Sequence, residues 1–167
     1  VEVLRNGGII ILPTDTLYAF GCDIFNKSGV EQITKIKEKD LRRSNLSFIC
    51  NEMSQVSEYA KMSDTAFRLM KKNLPGPFTF ILNGSSSLPK LFKNKKDVGI
   101  RMPKNNIVLE IIKELGNPLM TSSIFQDEDT EYVTNPELID EKYGRMVDII
   151  IDGGEGGFIP STIVDCT

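Results

Sequence analysis

Histidine is absent from the 167-residue sequence, and cysteine occurs only at Cys22, Cys50 and Cys166. Without imidazole the chain can build no Ser-His-Asp or Cys-His nucleophile, no histidine general base and no zinc site that needs His. The three thiols lie far apart and in no CxxC spacing. Their odd number suits a reducing compartment better than a disulfide framework, so free, buried thiols and a cytoplasmic location are expected. No apolar run approaches the ~18 residues of a membrane helix, and no basic segment leads into a signal-type apolar stretch. The chain opens at Val1 rather than Met, so a few residues are expected ahead of it.

What is present is ordinary for a globular protein: 40% hydrophobic and 26% charged residues, with 13 Gly and 8 Pro. This composition excludes collagen-like, low-complexity and wholly disordered chains. At ~150 residues per domain, the length predicts a single domain over 1–167 with a substantial core. The net charge of -3 conceals a segregation. Residues 1–83 carry 11 Lys/Arg against 9 Asp/Glu, and residues 84–167 carry 9 against 14. Lys35, Lys37, Lys39, Arg42 and Arg43 form one basic cluster, and Lys90, Lys93, Lys95, Lys96, Arg101 and Lys104 a second. Each reads either as a solvated surface or as a surface for polyphosphate or nucleic acid. The acidic run from Asp127 to Glu141 reads as a loop and the helix after it, with no chemistry assigned.

Apolar periodicity predicts alternating strands and helices. Ile9–Leu12 is a continuous β-branched run closed by Pro13, after which a polar loop begins at Thr14. Ser28 and Glu31 form a capping-box pattern for a helix over 29–38. Further helices are predicted at 63–72, at 104–115 with Gly116 as stop, and at 136–143 after Asn135-Pro136. Strands fit 46–50, 78–82, 97–102, 118–122, 147–151 and 161–165. The order suggests an α/β (α+β) domain with a mixed sheet covered by helices. Hydroxyls and cations gather where the strands end: Thr14 and Thr16, Thr79, Arg101, Thr121-Ser122-Ser123, and Ser161-Thr162. Open sheets bind ligands at such ends. The six Met are scattered and the nine Phe form no stacking ladder, so both read as core, with Phe78 and Phe80 on one strand face.

Six ordered segments carry a resemblance: Pro13-Thr14-Asp15-Thr16-Leu17-Tyr18, Ile36-Lys37-Glu38-Lys39, Pro75-Gly76-Pro77-Phe78-Thr79, Gly99-Ile100-Arg101-Met102-Pro103, Pro118 to Ser123, and Pro160 to Asp165. Together they span about 150 residues and resemble the YrdC-like family, the threonylcarbamoyl-AMP synthases, most closely its YciO branch. The resemblance implies a single-domain fold with a twisted mixed sheet around a concave, positively charged groove. It implies binding of ATP with Mg²⁺, L-threonine and bicarbonate, and formation of threonylcarbamoyl-adenylate for tRNA modification, a nucleotidyltransferase reaction. Members are also described as double-stranded RNA binders and candidate translation factors.

Carried onto this sequence, the ligand-binding set is Thr14, Thr16, Lys37, Lys39, Thr79, Arg101, Thr121, Ser122, Ser123, Ser161 and Thr162. The nucleic-acid set is Lys35, Lys37, Lys39, Arg42 and Arg43, and no protein-bound metal site is implied. Lys37 and Lys39 can converge on a triphosphate or simply cap a helix C-terminus. Lys39 stands where the family has Arg and lacks the forked donor geometry. Arg101, on an otherwise apolar strand, needs an anion, supplied by a ligand or by a structural acid such as Asp15. Thr14 and Thr16 can bind substrate or cap their own turn. Ile124-Phe125 replaces the family's Ala-Asn, and Phe125 has no side-chain donor or acceptor. The Gly-rich Asp152–Gly157 allows backbone approach to a ligand or a mobile flap, and fits neither GxGxxG nor GxxxxGK[ST]. Three functions remain in view: the synthase, an RNA-binding module without chemistry, and a nucleotide-pocket relative with another substrate.

Overall fold

The computed structural model describes residues 1–37, 46–124 and 131–167. The β-branched run after Gly8 forms β1 (Ile10–Leu12), preceded by a short α1 (Glu2–Arg5). It is followed by β2 (Ala19–Asp23), α2 (Lys27–Ile36), β3 (Ser47–Ile49), α3 (Met53–Tyr59), β4 (Ala60–Lys61) and α4 (Asp64–Asn73). Next come β5 (Gly76–Gly84), a 3₁₀ turn at Lys90–Phe92, β6 (Asp97–Met102), α5 (Asn106–Leu115) and β7 (Leu119–Ser123). The chain continues through α6 (Glu131–Thr134), α7 (Pro136–Tyr143), β8 (Ile149–Ile150) and β9 (Thr162–Asp165). The strands join one open sheet in the order β4-β5-β6-β3-β7-β2-β1-β8, with β9 also beside β5. The pairs β1/β8, β3/β6 and β5/β9 are parallel and the others antiparallel, the mixed α/β sheet that the sequence predicts. Among the described residues no helix is long and apolar enough to cross a membrane.

Side-chain alternation along the strands divides the sheet into two unlike faces. Ile11, Phe20, Cys22, Phe48, Phe80, Ile100 and Met120 point to one, where the apolar stripes of α2, α3, α4 and α7 form the larger core. T-shaped aromatic pairs lock it, Phe48 with Phe92 at 4.9 Å and Phe20 with Tyr143 at 5.2 Å. Ile10, Leu12, Ala19, Ile49 and Leu119 point to the other, but only this half of that face is apolar. Leu4 of α1 and Val108, Ile112 and Leu115 of α5 cover it. The remaining half, carrying Ser47, Thr79, Gly99 and Arg101, is left uncovered by α5 and becomes the site.

The helix punctuation follows the sequence in most places. Ser63 caps α4 through the Ala66 amide, Asn135 caps α7, and Gly116 ends α5 at φ 83°. Alpha2 differs from its reading: Asn26, not Ser28, is the cap, accepting from the Gly29 amide at 2.9 Å, and the helix starts two residues early. Glu31 is engaged with Lys27 rather than reaching back, and the Ser28 hydroxyl accepts from Gln32. The polar loop at Thr14 is short: β2 follows at Ala19, fully buried and lying inside the sheet between β1 and β7. Met146 is 52% exposed and so not a core residue, and Cys166 is only partly buried, whereas Cys22 and Cys50 are buried.

The left-handed C-cap yields a direct test. Nothing lies within 4 Å of a Cβ built on Gly116, so Gly116→Ala meets no clash, and its cost is the strain of an L side chain at a left-handed φ. Urea denaturation of this variant is expected to show a loss of about 1 kcal/mol.

Candidate active site

The uncovered half-face opens into a cavity of about 540 Å³. Its walls come from α2 through Lys37, from β7 through Ser122 and Ser123, from β5 through Thr79, and from β6 through Asp97, Gly99 and Arg101. The fifth wall is Pro160 to Asp165, where β9 runs parallel to β5 and places Ser161, Ile163 and Asp165 on the cavity side. A Cβ on Gly99 would come within 3.2 Å of Thr79 Cγ2, so the missing side chain sets the depth of the floor.

Arg101 is the most constrained group in the site. It is only 3% exposed, on a strand otherwise apolar from Val98 to Met102. Its Nη2 donates to Thr16 Oγ1 at 2.7 Å and lies 3.3 Å from Asp15 Oδ1. Its Nε is buried with no hydrogen-bond partner among the described residues. Burial lowers the guanidinium pKa, and the Asp15 charge partly restores it. Asp15 is itself fixed, because its other oxygen accepts from the Lys104 amide at 2.9 Å. The Pro13–Leu17 loop is wound to present these groups. Thr14 Oγ1 accepts from the Thr16 amide, donates to the Leu17 carbonyl at 2.6 Å and sits 3.2 Å from Thr16 Oγ1. The structural-acid reading of Arg101 is thus met at Nη2 by Asp15 and Thr16, and Nε stays without a partner among the described residues.

The remaining hydroxyls divide. Thr79 Oγ1 and Ser161 Oγ share a 2.6 Å hydrogen bond across the β5–β9 wall. Lys37 reaches from the end of α2 and donates to the Ser123 carbonyl at 2.5 Å, tying that helix to the end of β7. Thr14 and Thr16 support the loop and do not line the cavity, and Thr121 donates to the Ser47 carbonyl within the sheet. Thr162 alternates with Ser161 and Ile163, so its side chain faces away from the cavity with Val164. Lys39, Arg42, Arg43 and Phe125 lie outside the described residues, while Ile124 is fully buried in the larger core.

Three charged lining residues escape the predicted ligand set: Lys95, Asp97 and Asp165. Lys95 was visible only as one member of a basic cluster, and nothing local distinguished it. It is half-buried, and burial lowers its pKa, partly countered by the Asp97 charge. The lining thus holds Lys37, Lys95 and Arg101 against two carboxylates, a mixed rather than uniformly positive surface. Among the described residues, the first basic cluster contributes Lys37 to the lining and the second Lys95 and Arg101. Lys90 and Lys93 instead flank a separate depression over Ile24 and Phe25, and Lys35 is exposed on α2. The glycines of 153–157 approach the Pro13–Tyr18 loop, not the cavity: a Cβ on Gly153 would meet Pro13, on Gly156 the Tyr18 ring, on Gly157 the Thr16 carbonyl.

A family model described as "Telomere recombination", covering Sua5, YciO and YrdC, matches residues 2–167. The chain belongs to the Sua5/YciO/YrdC family. It is 37% identical to YciO of Escherichia coli over 169 residues, 100% of this chain and 82% of that one. The crystal structure of E. coli YciO superposes with a TM-score of 0.90, covering 99% of this chain and 81% of that chain. Threonylcarbamoyl-AMP synthase of Coxiella burnetii is 27% identical over 158 residues, 93% of this chain and 84% of that one. Sua5 of P. abyssi, crystallised in complex with L-threonine, superposes with a TM-score of 0.87 at 27% identity, covering 98% of this chain and 48% of that longer one.

Removal of one partner from a buried ion pair strands the other charge, at a cost of about 3–5 kcal/mol. Asp15→Ala is expected to destabilise the fold by about 3 kcal/mol in chemical denaturation, because Arg101 cannot reach water. A loss below about 1 kcal/mol shows that Arg101 does not depend on Asp15.

Proposed function

We propose that this family member binds ATP and L-threonine in the cavity between α2, β6 and β9, and condenses them with bicarbonate to threonylcarbamoyl-AMP. The observation that carries the reading is the unpartnered, buried Nε of Arg101 in a cavity that also holds Lys37 and Lys95. A buried donor without a partner is costly, and an anionic ligand oxygen relieves that cost. Family relatives named as threonylcarbamoyl-AMP synthase, and a threonine-bound Sua5, give the anion its chemical context.

In this reaction a carbamate oxygen of carboxylated threonine attacks the α-phosphorus of ATP, and pyrophosphate leaves. Most of the work is positioning and neutralising phosphate charge, so a protein without histidine can perform it. Lys37 and Lys95 supply point charges, Arg101 a directional donor, and Thr79 and Ser161 hydroxyls that exchange their mutual bond for ligand oxygens. Mg²⁺ enters with the nucleotide. Among the described residues no cluster of three or more ligating side chains is present. Asp97 and Asp165 are the lining carboxylates that would be available to an ion that keeps its waters and takes its other ligands from phosphate.

The test is pyrophosphate release with ATP, Mg²⁺ and bicarbonate, with and without L-threonine, and mass detection of the adenylate product. Threonine-dependent turnover supports the synthase reading. Folded protein without turnover overturns it: nucleotide binding alone then indicates another substrate, and steeply salt-dependent RNA binding indicates the nucleic-acid module. Arg101→Lys keeps the charge but loses the fork, and is expected to weaken ATP binding at least tenfold.

Lys95 adds a pH dependence. A lysine binds phosphate only when protonated, and this one loses its proton below the ordinary 10.5. ATP affinity is expected to fall before pH reaches the ordinary lysine value of 10.5, and to be flatter in Lys95→Met. A profile identical in both proteins removes Lys95 from the site.

A further inference from the structure

The segment from Asp152 to Pro160 crosses the Pro13–Tyr18 loop before it delivers Ser161 to the cavity wall. One side chain ties it down. Tyr18, fully buried, donates through its hydroxyl to the Gly154 carbonyl at 2.6 Å and accepts from the Gly153 amide at 3.1 Å. Its ring lies under Gly156, where a Cβ would come within 2.7 Å of Cδ2, and the Gly156 amide bonds the Thr134 carbonyl at 2.8 Å. Gly157 packs on the Thr16 carbonyl, so the crossing chain rests on the residue that also holds Arg101. Gly154 takes φ 87°, which lets the backbone turn at the point where the phenol grips it.

We propose that Tyr18 is a positioning residue: its hydroxyl clamps Gly153 and Gly154 so that Ser161 stays in register with Thr79 on the cavity wall. The ligand consequence rests on the reading of the cavity given above. Tyr18 does not line the cavity, and its hydroxyl acts through the crossing segment, which links the first motif to the last. Burial holds its phenol above the usual value, so the hydroxyl remains a donor through the neutral and mildly alkaline range.

Tyr18→Phe keeps the ring and removes the clamp. Hydrogen–deuterium exchange in the full chain is expected to accelerate about threefold to tenfold at the Gly153 and Gly156 amides, with β2 amides unchanged. Unchanged exchange overturns the clamp. Acceleration that extends through β2 also overturns it, since Tyr18 is then a core residue and no more. In ATP and L-threonine titrations, Tyr18→Phe is expected to raise the dissociation constant of the ligand that Ser161→Ala also weakens. The double variant should be no weaker than Ser161→Ala alone, and additive losses refute positioning through Ser161. If the unaltered chain binds neither ligand, the proposed function fails, and the exchange measurement alone decides the clamp.

Discussion

A guanidinium buried in a sheet must be held by anions and acceptors, and the need to satisfy Arg101 organises much of what surrounds it. The loop after β1 turns back on itself so that Asp15 and Thr16 both reach Nη2. Thr14 spends its hydroxyl keeping that turn closed, and the backbone of Lys104 holds Asp15 from the far side. The first loop and the strand β6 are thereby joined across 86 residues of sequence. The Arg101 edge of the cavity inherits its rigidity from this arrangement.

The second constraint is the unequal covering of one sheet face. Alpha5 has a single apolar stripe, Val108, Ile112 and Leu115, wide enough for the strands β1, β2 and part of β3 and β7. Beyond it the same face turns to Ser, Thr, Gly and Arg, which need no apolar cover. The change occurs within single strands: on β3, Ile49 is packed under α5, and Ser47 lines the cavity. Core and site thus share strands, and the rigid core positions the polar groups without extra machinery.

Strands with unbroken β-branched runs, and helices with clear boundary residues such as the stop at Gly116 and the start at Asn135, were legible from sequence because local chemistry alone specifies them. Beta2 was not, since Ala19–Asp23 carries Gly21 and Asp23 and becomes a strand only through pairing on both sides with β1 and β7. The start of α2 was misread because two nearby polar residues, Asn26 and Ser28, both suit a cap, and the contact of Asn26 with the Gly7 carbonyl decides between them. Of the site, Arg101, Lys37, Thr79, Ser123 and Ser161 were identified through motif resemblance. Lys95, Asp97 and Asp165 required the register of β5, β6 and β9. Thr162 shows the limit of motif reasoning: its neighbour Ser161 enters the cavity, and pleat alternation sends Thr162 the other way.

The parallel pairing of β9 with β5 also has a consequence for biosynthesis. During translation, β1 through β7 and their helices can collapse around the larger core while Ser161 to Asp165 have yet to leave the ribosome. The cavity lacks its last wall until those residues emerge and dock beside a strand made more than 80 positions earlier. The chain can therefore collapse before its cavity is walled, and Ser161 meets Thr79 only once the segment leading into β9 has been synthesised.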